Sequence, residues 1–226
     1  MNKIKRIWAL INKRGSTYFI TECIDRIVDI YYELYLNIDT VGFVFKEELG
    51  STCPDSNEYA SVNYRYIIGA LRSLEADITS SVLLDYGCGK GRVLAYAASC
   101  NFKKIIGIEN SILIDVARGN IRTMKRQKTT DISLEKCDAQ NFKVPSSVNT
   151  IFFYNPFIGS ILKSVLENIY LSWKESPRKI SIIFFNNDEF ERLITHQKWI
   201  KRIHQTQPHP DFSCGIYETE SSQYLI

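Results

Sequence analysis

From residue 82 onward, short apolar runs alternate with segments whose apolar positions recur every three or four residues. The runs at 82–86, 104–109, 132–136, 150–154 and 179–185 have the length and the β-branched or aromatic content of strands. Between them, 91–99, 111–126, 160–173 and 188–196 read as helices, and 199–205 with 213–219 as a closing pair of strands. Strand alternating with helix predicts an α/β fold, with a mostly parallel seven-stranded sheet covered by helices on both faces.

The first eighty residues follow another pattern. Ile4, Ile7, Trp8 and Ile11 recur at helical spacing, and a second stripe runs through Ile20, Cys23, Ile24, Ile27, Tyr31 and Leu34. Residues 42–58 read as a loop or lid, with Gly50-Ser51 and Pro54-Asp55 as turn signals, and 62–74 as a helix. This divides the chain into an N-terminal helical extension with a lid, 1–58, and an α/β domain, 59–226.

Composition narrows the picture modestly. A chain of 226 residues with 45% hydrophobic content has the size and make-up of one ordinary globular domain with some decoration. A net charge of +3, without a long basic stripe or a separate recognition domain, argues against a nucleic-acid partner. The six cysteines form no C-x-x-C pair and no zinc-like spacing with the three histidines. That usage points to free thiols in a reducing, cytoplasmic setting and to no metal site. No signal-peptide core or membrane-spanning run is visible. Lys3, Lys5, Arg6, Lys13 and Arg14 make the start a basic amphipathic segment. Such a segment packs on its own domain, packs on a twin subunit in a homodimer, or contacts a membrane surface peripherally.

The most informative stretch is Val82-Leu83-Leu84-Asp85-Tyr86-Gly87-Cys88-Gly89-Lys90-Gly91-Arg92. It reads as strand, tight glycine turn and helix, the form of a nucleotide-type cofactor site. The dinucleotide fingerprint G-x-G-x-x-G would place its third glycine at 92, which is Arg92, and the spacing is too short for a P-loop. Asp85, two residues before Gly87, would repel a pyrophosphate and suit a ligand bearing an ammonium and a sulfonium.

Asp85-x-Gly87-x-Gly89-x-Gly91 resembles the first motif of class I S-adenosylmethionine-dependent methyltransferases, whose fold is Rossmann-like. The resemblance implies S-adenosyl-L-methionine as cofactor. Asp85 and the glycine turn would hold its methionine end. Glu109, 18 residues past Gly91, would accept the ribose hydroxyls, with Asn110 and Ser111 beside the adenine. Asp138 would bond the adenine amino group, and the backbone N–H of Ala139 the ring.

Asn155-Pro156-Phe157 sits where methyl donor and acceptor should meet. It resembles the Asn/Asp-Pro-Pro-aromatic motif of amino-methylating enzymes but lacks the second proline. There an Asn oxygen and a backbone carbonyl accept hydrogen bonds from the target amine, and the aromatic ring packs on the substrate. The resemblance therefore gives Asn155 and Phe157 catalytic roles, and makes Asn155 a contact of the cofactor as well. Tyr59 and Ser61 match in part a Tyr-x-x-Thr element that some related methyltransferases, including a histone-lysine methylating type, use on the cofactor's carboxylate. His204, His209 and Asp211 offer a base late in the chain, although His204 alternates with apolar residues as a strand surface position does.

The expected activity is methyl transfer to an amine, on a protein side chain or a small molecule. Methylation of a hydroxyl on a sugar or other metabolite is the alternative, as is a non-catalytic cofactor-binding subunit. A nicotinamide-dependent oxidoreductase is disfavoured by Asp85 and Arg92. The methyl acceptor itself is not legible in the sequence.

Overall fold

The computed structural model describes residues 16–50, 53–209 and 212–220. The stripe from Ile4 to Ile11 and the basic residues around it lie outside the described residues, as does Asp211.

The chain order is helix α1 (Ser16–Leu36), strands β1 (Phe43–Val44) and β2 (Tyr59–Ala60), helix α2 (Tyr64–Arg72) and strand β3 (Val82–Tyr86). Then come α3 (Arg92–Ser99), β4 (Lys104–Glu109), α4 (Leu113–Thr123), β5 (Ile132–Lys136) and β6 (Thr150–Tyr154). The chain closes with α5 (Gly159–Glu175), β7 (Ser181–Phe185), α6 (Asp188–Ile194), β8 (Ile200–His209) and β9 (Phe212–Thr219).

Seven strands form one sheet in the order β5-β4-β3-β6-β7-β9-β8. The five strands from β3 to β7 run parallel, and the β8–β9 hairpin adds an antiparallel edge. β3 and β7 are buried at every position, and β6 at all but Tyr154. That is why they read as continuous apolar runs rather than alternating ones. Alternation survives in which face each residue serves. Leu84, Tyr86, Phe153 and Phe184 enter one core with helix α5, while Leu83, Phe152, Ile183 and Phe185 enter the other with α2 and α3.

Helix α1 turns its apolar stripe outward and its acidic face inward. Asp25, Asp29 and Glu33 are 2%, 4% and 8% exposed, whereas Ile27 and Leu34 are 67% and 76% exposed. The cause is Arg92, at the first turn of α3. Its guanidinium binds Asp29 Oδ2 at 3.0 Å, lies 3.3 Å from Glu33 Oε1, and donates to the Val62 carbonyl at 2.8 Å. Tyr64 donates to Glu33 at 3.0 Å, and Asp25 takes Arg65 and Tyr66, each at 2.6 Å. A charge is buried only when paired and hydrogen-bonded, so the cation on α3 decides which face of α1 turns inward.

The boundary expected at residue 58 falls within a short ribbon, because β1 pairs with β2. Together with the Arg92 contacts, this joins α1 and the 43–60 region to the α/β domain. All six cysteines are free thiols. Among the described residues, no helix is long and apolar enough to cross a membrane.

Candidate functional site

From β3 the chain steps outward to β4 and β5, then returns to place β6 on the other side of β3. Strand order therefore reverses between β3 and β6, and in open α/β sheets ligands bind beyond the carboxyl ends of the strands at that point. A cleft of about 200 Å³ lies there.

The glycine turn is built by alternating backbone signs. Gly87, Gly89 and Gly91 have φ of 71°, 53° and 85°, a region that L side chains rarely adopt. The N–H groups of Gly87 and Cys88 both donate to the Ile108 carbonyl at 2.9 Å, which pulls the turn against β4. What occupies the space of the missing side chains is protein. A Cβ on Gly87 would come 2.4 Å from Pro156 Cβ, one on Gly89 2.3 Å from the Tyr59 ring, and one on Gly91 3.2 Å from Ala117 on α4. Gly91 is thus a helix-packing glycine, and neither it nor Gly89 is part of the cleft wall.

The cleft is walled by Asp85, Glu109 and Asp138 at the ends of three adjacent strands, with Gly87, Asn110, Ser111 and Ala139 between them. Asp85 is buried at the foot of the turn. Burial, together with the nearby Glu109 carboxylate, pushes its carboxyl up to about 8. Glu109 accepts the Gly89 N–H at 3.0 Å through one oxygen and the Ser111 N–H at 2.8 Å through the other. Each oxygen keeps a further lone pair for a ligand hydroxyl. Asp138 accepts the Gln140 N–H at 2.9 Å and so caps a short 3-10 turn.

Glu58 is a further acid on the wall, beside Glu109, Asp138 and the buried Asp85 carboxyl, and Arg92 is the wall's one cation. Arg92 is already engaged by Asp29 and Glu33. The electrostatic character of the cleft is therefore that of a receptor for positive charge.

Tyr59 and Ser61 also line the cleft. The Tyr59 ring packs over Gly89, but its hydroxyl donates to the Thr40 carbonyl at 2.6 Å. That single proton is not available to a ligand carboxylate in this arrangement. Desolvation holds the phenol far above its ordinary value.

The Asn-Pro-Phe turn departs from the expectation more strongly. Asn155 adopts a left-handed conformation, φ 47°, and its side chain is not on the cleft wall. Phe157 reaches the cleft but is 5% exposed, held edge-on by Tyr86 and Phe153 in the core. Its ring thus belongs to the core and to the cleft wall at once.

The reason is the 53–60 strap, which lies on this turn. Asn57 donates its side-chain N–H to the Asn155 carbonyl at 2.9 Å and its backbone N–H to the Pro156 carbonyl at 3.1 Å. Ser56 bridges to Phe157, and Asp55 accepts the Ser160 N–H at 2.7 Å at the start of α5. Asn57 and Asp55 carry no motif, and only their place in a loop marked them. Of the late candidates, His204 is exposed on β8, and His209 lies 3.2 Å from Glu22 of α1, outside the cleft wall.

Solved methyltransferase structures share this fold. An RNA methyltransferase from Salinibacter ruber, in complex with S-adenosyl-L-homocysteine, matches with a TM-score of 0.52 at 17% identity, over 74% of this chain and 99% of its own. A ribosomal protein L11 methylase from Lactobacillus delbrueckii subsp. bulgaricus matches at 0.52 and 13% identity, over 68% and 76%. The StiE O-MT matches at 0.54 and 12% identity, over 70% and 74%. No family model and no curated protein matches the chain. The architecture is thus the Rossmann-like fold of class I methyltransferases, and proteins named for three different acceptors share it.

Proposed function

We propose that the chain is an S-adenosyl-L-methionine-dependent methyltransferase that acts on an amine acceptor. The observation that carries the cofactor reading is the charge of the cleft: the carboxylates of Glu58, Glu109 and Asp138 on its wall, the buried Asp85 carboxyl that a cation would ionise, and one guanidinium already neutralised from behind. A dinucleotide would bring two phosphates into that field, whereas the adenosylmethionine skeleton brings an ammonium and a sulfonium. The donor set fits the group. Asp85 gains a counter-charge that offsets its burial, Glu109 has lone pairs left for two ribose hydroxyls, and Asp138 with the Ala139 N–H suits the edge of an adenine.

When bound, the cofactor supplies a methyl group already activated by its positive sulfur. The protein's part is orientation and exclusion of water. The glycine turn and Asp85 fix one end, Glu109 and Asp138 the other, and the strap covers the cleft beside the Asn-Pro-Phe turn.

The amine reading is supported by Asn57. It presents two N–H donors to two consecutive carbonyls, those of Asn155 and Pro156. A primary amine offers the same pair of donors, while a hydroxyl offers one. Lifting the strap frees both acceptors for a substrate nitrogen.

Two measurements test the reading separately. Calorimetry is expected to show binding of S-adenosylhomocysteine and none of nicotinamide dinucleotides; the reverse pattern removes the cofactor assignment. With methyl-labelled cofactor, panels of amines and of hydroxyl compounds are expected to yield label on nitrogen. Label confined to hydroxyls removes the amine assignment and leaves the cofactor assignment standing.

A further inference from the structure

Helix α1 is inside out. Asp25, Asp29 and Glu33 face the core, and Ile20, Ile24, Ile27, Tyr31 and Leu34 form an exposed stripe at spacings of four, three, four and three. The exposed apolar surface of that stripe is on the order of several hundred Å², a size that marks an interaction site on an ordinary monomer. Among the exposed residues of α1 the only charges are Glu22 and Arg26.

The carboxyl end of the stripe is basic. At the carboxyl end, the segment after α4 lies against α1. The Lys125 N–H donates to the Leu36 carbonyl at 2.7 Å, and the Arg126 guanidinium sits 5.3 Å from the Tyr35 ring centre. Arg122, Lys125, Arg126 and Lys128 are all exposed, and no acid occurs between residues 116 and 130. None of the four has a carboxylate partner among the described residues.

This charge distribution chooses between occupants. A second copy paired in parallel through the stripe would set these cations on one another. An anionic lipid surface answers both features, since apolar side chains enter the acyl boundary while the basic cluster beside them meets the headgroups. We propose that the outer face of α1 lies on an anionic bilayer surface, as a peripheral contact. The proposal is independent of the methyl-transfer reading.

The test is co-sedimentation of the full chain with vesicles made of equal parts phosphatidylglycerol and phosphatidylcholine, or of phosphatidylcholine alone. Binding is expected to the mixed vesicles, to fall with added salt, and to be at least about tenfold weaker on the neutral ones. Ile27→Ser with Leu34→Ser should weaken it about tenfold, and Lys125→Glu with Arg126→Glu by a similar factor. Both pairs are exposed, so the melting temperature should hold. Absence of binding to the mixed vesicles overturns the proposal, as does binding that survives the serine pair. A dimer in light scattering that the serine pair dissolves assigns the face to a second copy instead. A melting temperature lowered by the serine pair, without vesicle binding, assigns it to the chain's own first residues.

Discussion

Glu109 reaches back from the end of β4 to accept the Gly89 N–H at 3.0 Å, so one carboxylate shapes the turn it would share with a ligand. Its second oxygen holds Ser111 in the same way. Glu109→Ala should therefore weaken cofactor binding and also destabilise the unliganded fold by about 1–3 kcal/mol, because two N–H groups lose their acceptor. Glu109→Gln keeps one carbonyl oxygen and should lose less of both. Thermal unfolding with calorimetry separates the effects, and an unchanged melting temperature for the alanine variant would remove the structural half of this role.

Asp85 gives a proton-linked signature. Its folded value near 8 lies above the ordinary 3.8, so the fold favours the neutral carboxyl. That contribution to stability is complete below about pH 4 and is lost as the pH rises towards 8. A bound ammonium reverses the preference. At pH 6.5, where the ligand's amino group is still charged, cofactor binding should release about one proton. Calorimetry in buffers of differing ionisation heat reads this number directly. Asp85→Asn should abolish the release, and a wild-type value near zero would place the ammonium elsewhere.

Gly89 and Tyr59 should be coupled. Gly89→Ala sets a methyl against the Tyr59 ring at a positive φ and should cost about 1–3 kcal/mol in stability. In a Tyr59→Ala background the same change should cost less, since only the backbone strain remains. Equal costs in a double-mutant cycle would show that the ring does not set the need for glycine.

Arg92→Met should cost about 3–5 kcal/mol, because Asp29 and Glu33 would remain buried without their cation. Combining it with Asp29→Asn and Glu33→Gln should recover part of that loss. Denaturant unfolding checks both statements, and a triple variant as unstable as the single one would locate the defect in packing rather than charge.

The parts of the molecule legible in sequence are those fixed by local grammar. Leu83, Leu84 and Phe152 to Phe153 announce buried strands, and Gly87, Gly89 and Gly91 announce a turn that only positive φ can close. Asp85, Glu109 and Asp138 follow from them, since each ends a strand beside that turn. The orientation of α1 was not legible, because the partner that draws Asp29 inward is Arg92, 63 positions later. The state of Asn155 was hidden for the same reason, as its carbonyl is met by Asn57, 98 positions earlier. Pattern reports what a residue prefers on average, and these two positions are decided by distant single partners.

The Asp55 tie to Ser160 has a dynamic consequence. Ser160 hydrogen bonds hold this exposed carboxyl below its usual range, so it stays ionised to lower pH than a free aspartate. The same contact caps the Ser160 N–H in the first turn of α5, beside the Gly159 N–H that Glu189 holds at 3.0 Å. Any excursion of the strap away from the Asn-Pro-Phe turn must unravel that helix start, and any fraying there loosens the strap. Access to the cleft is in this way written into the breathing of a helix start at its rim, and amide exchange at residues 160–163 becomes a clock for an opening that takes place at Asn57.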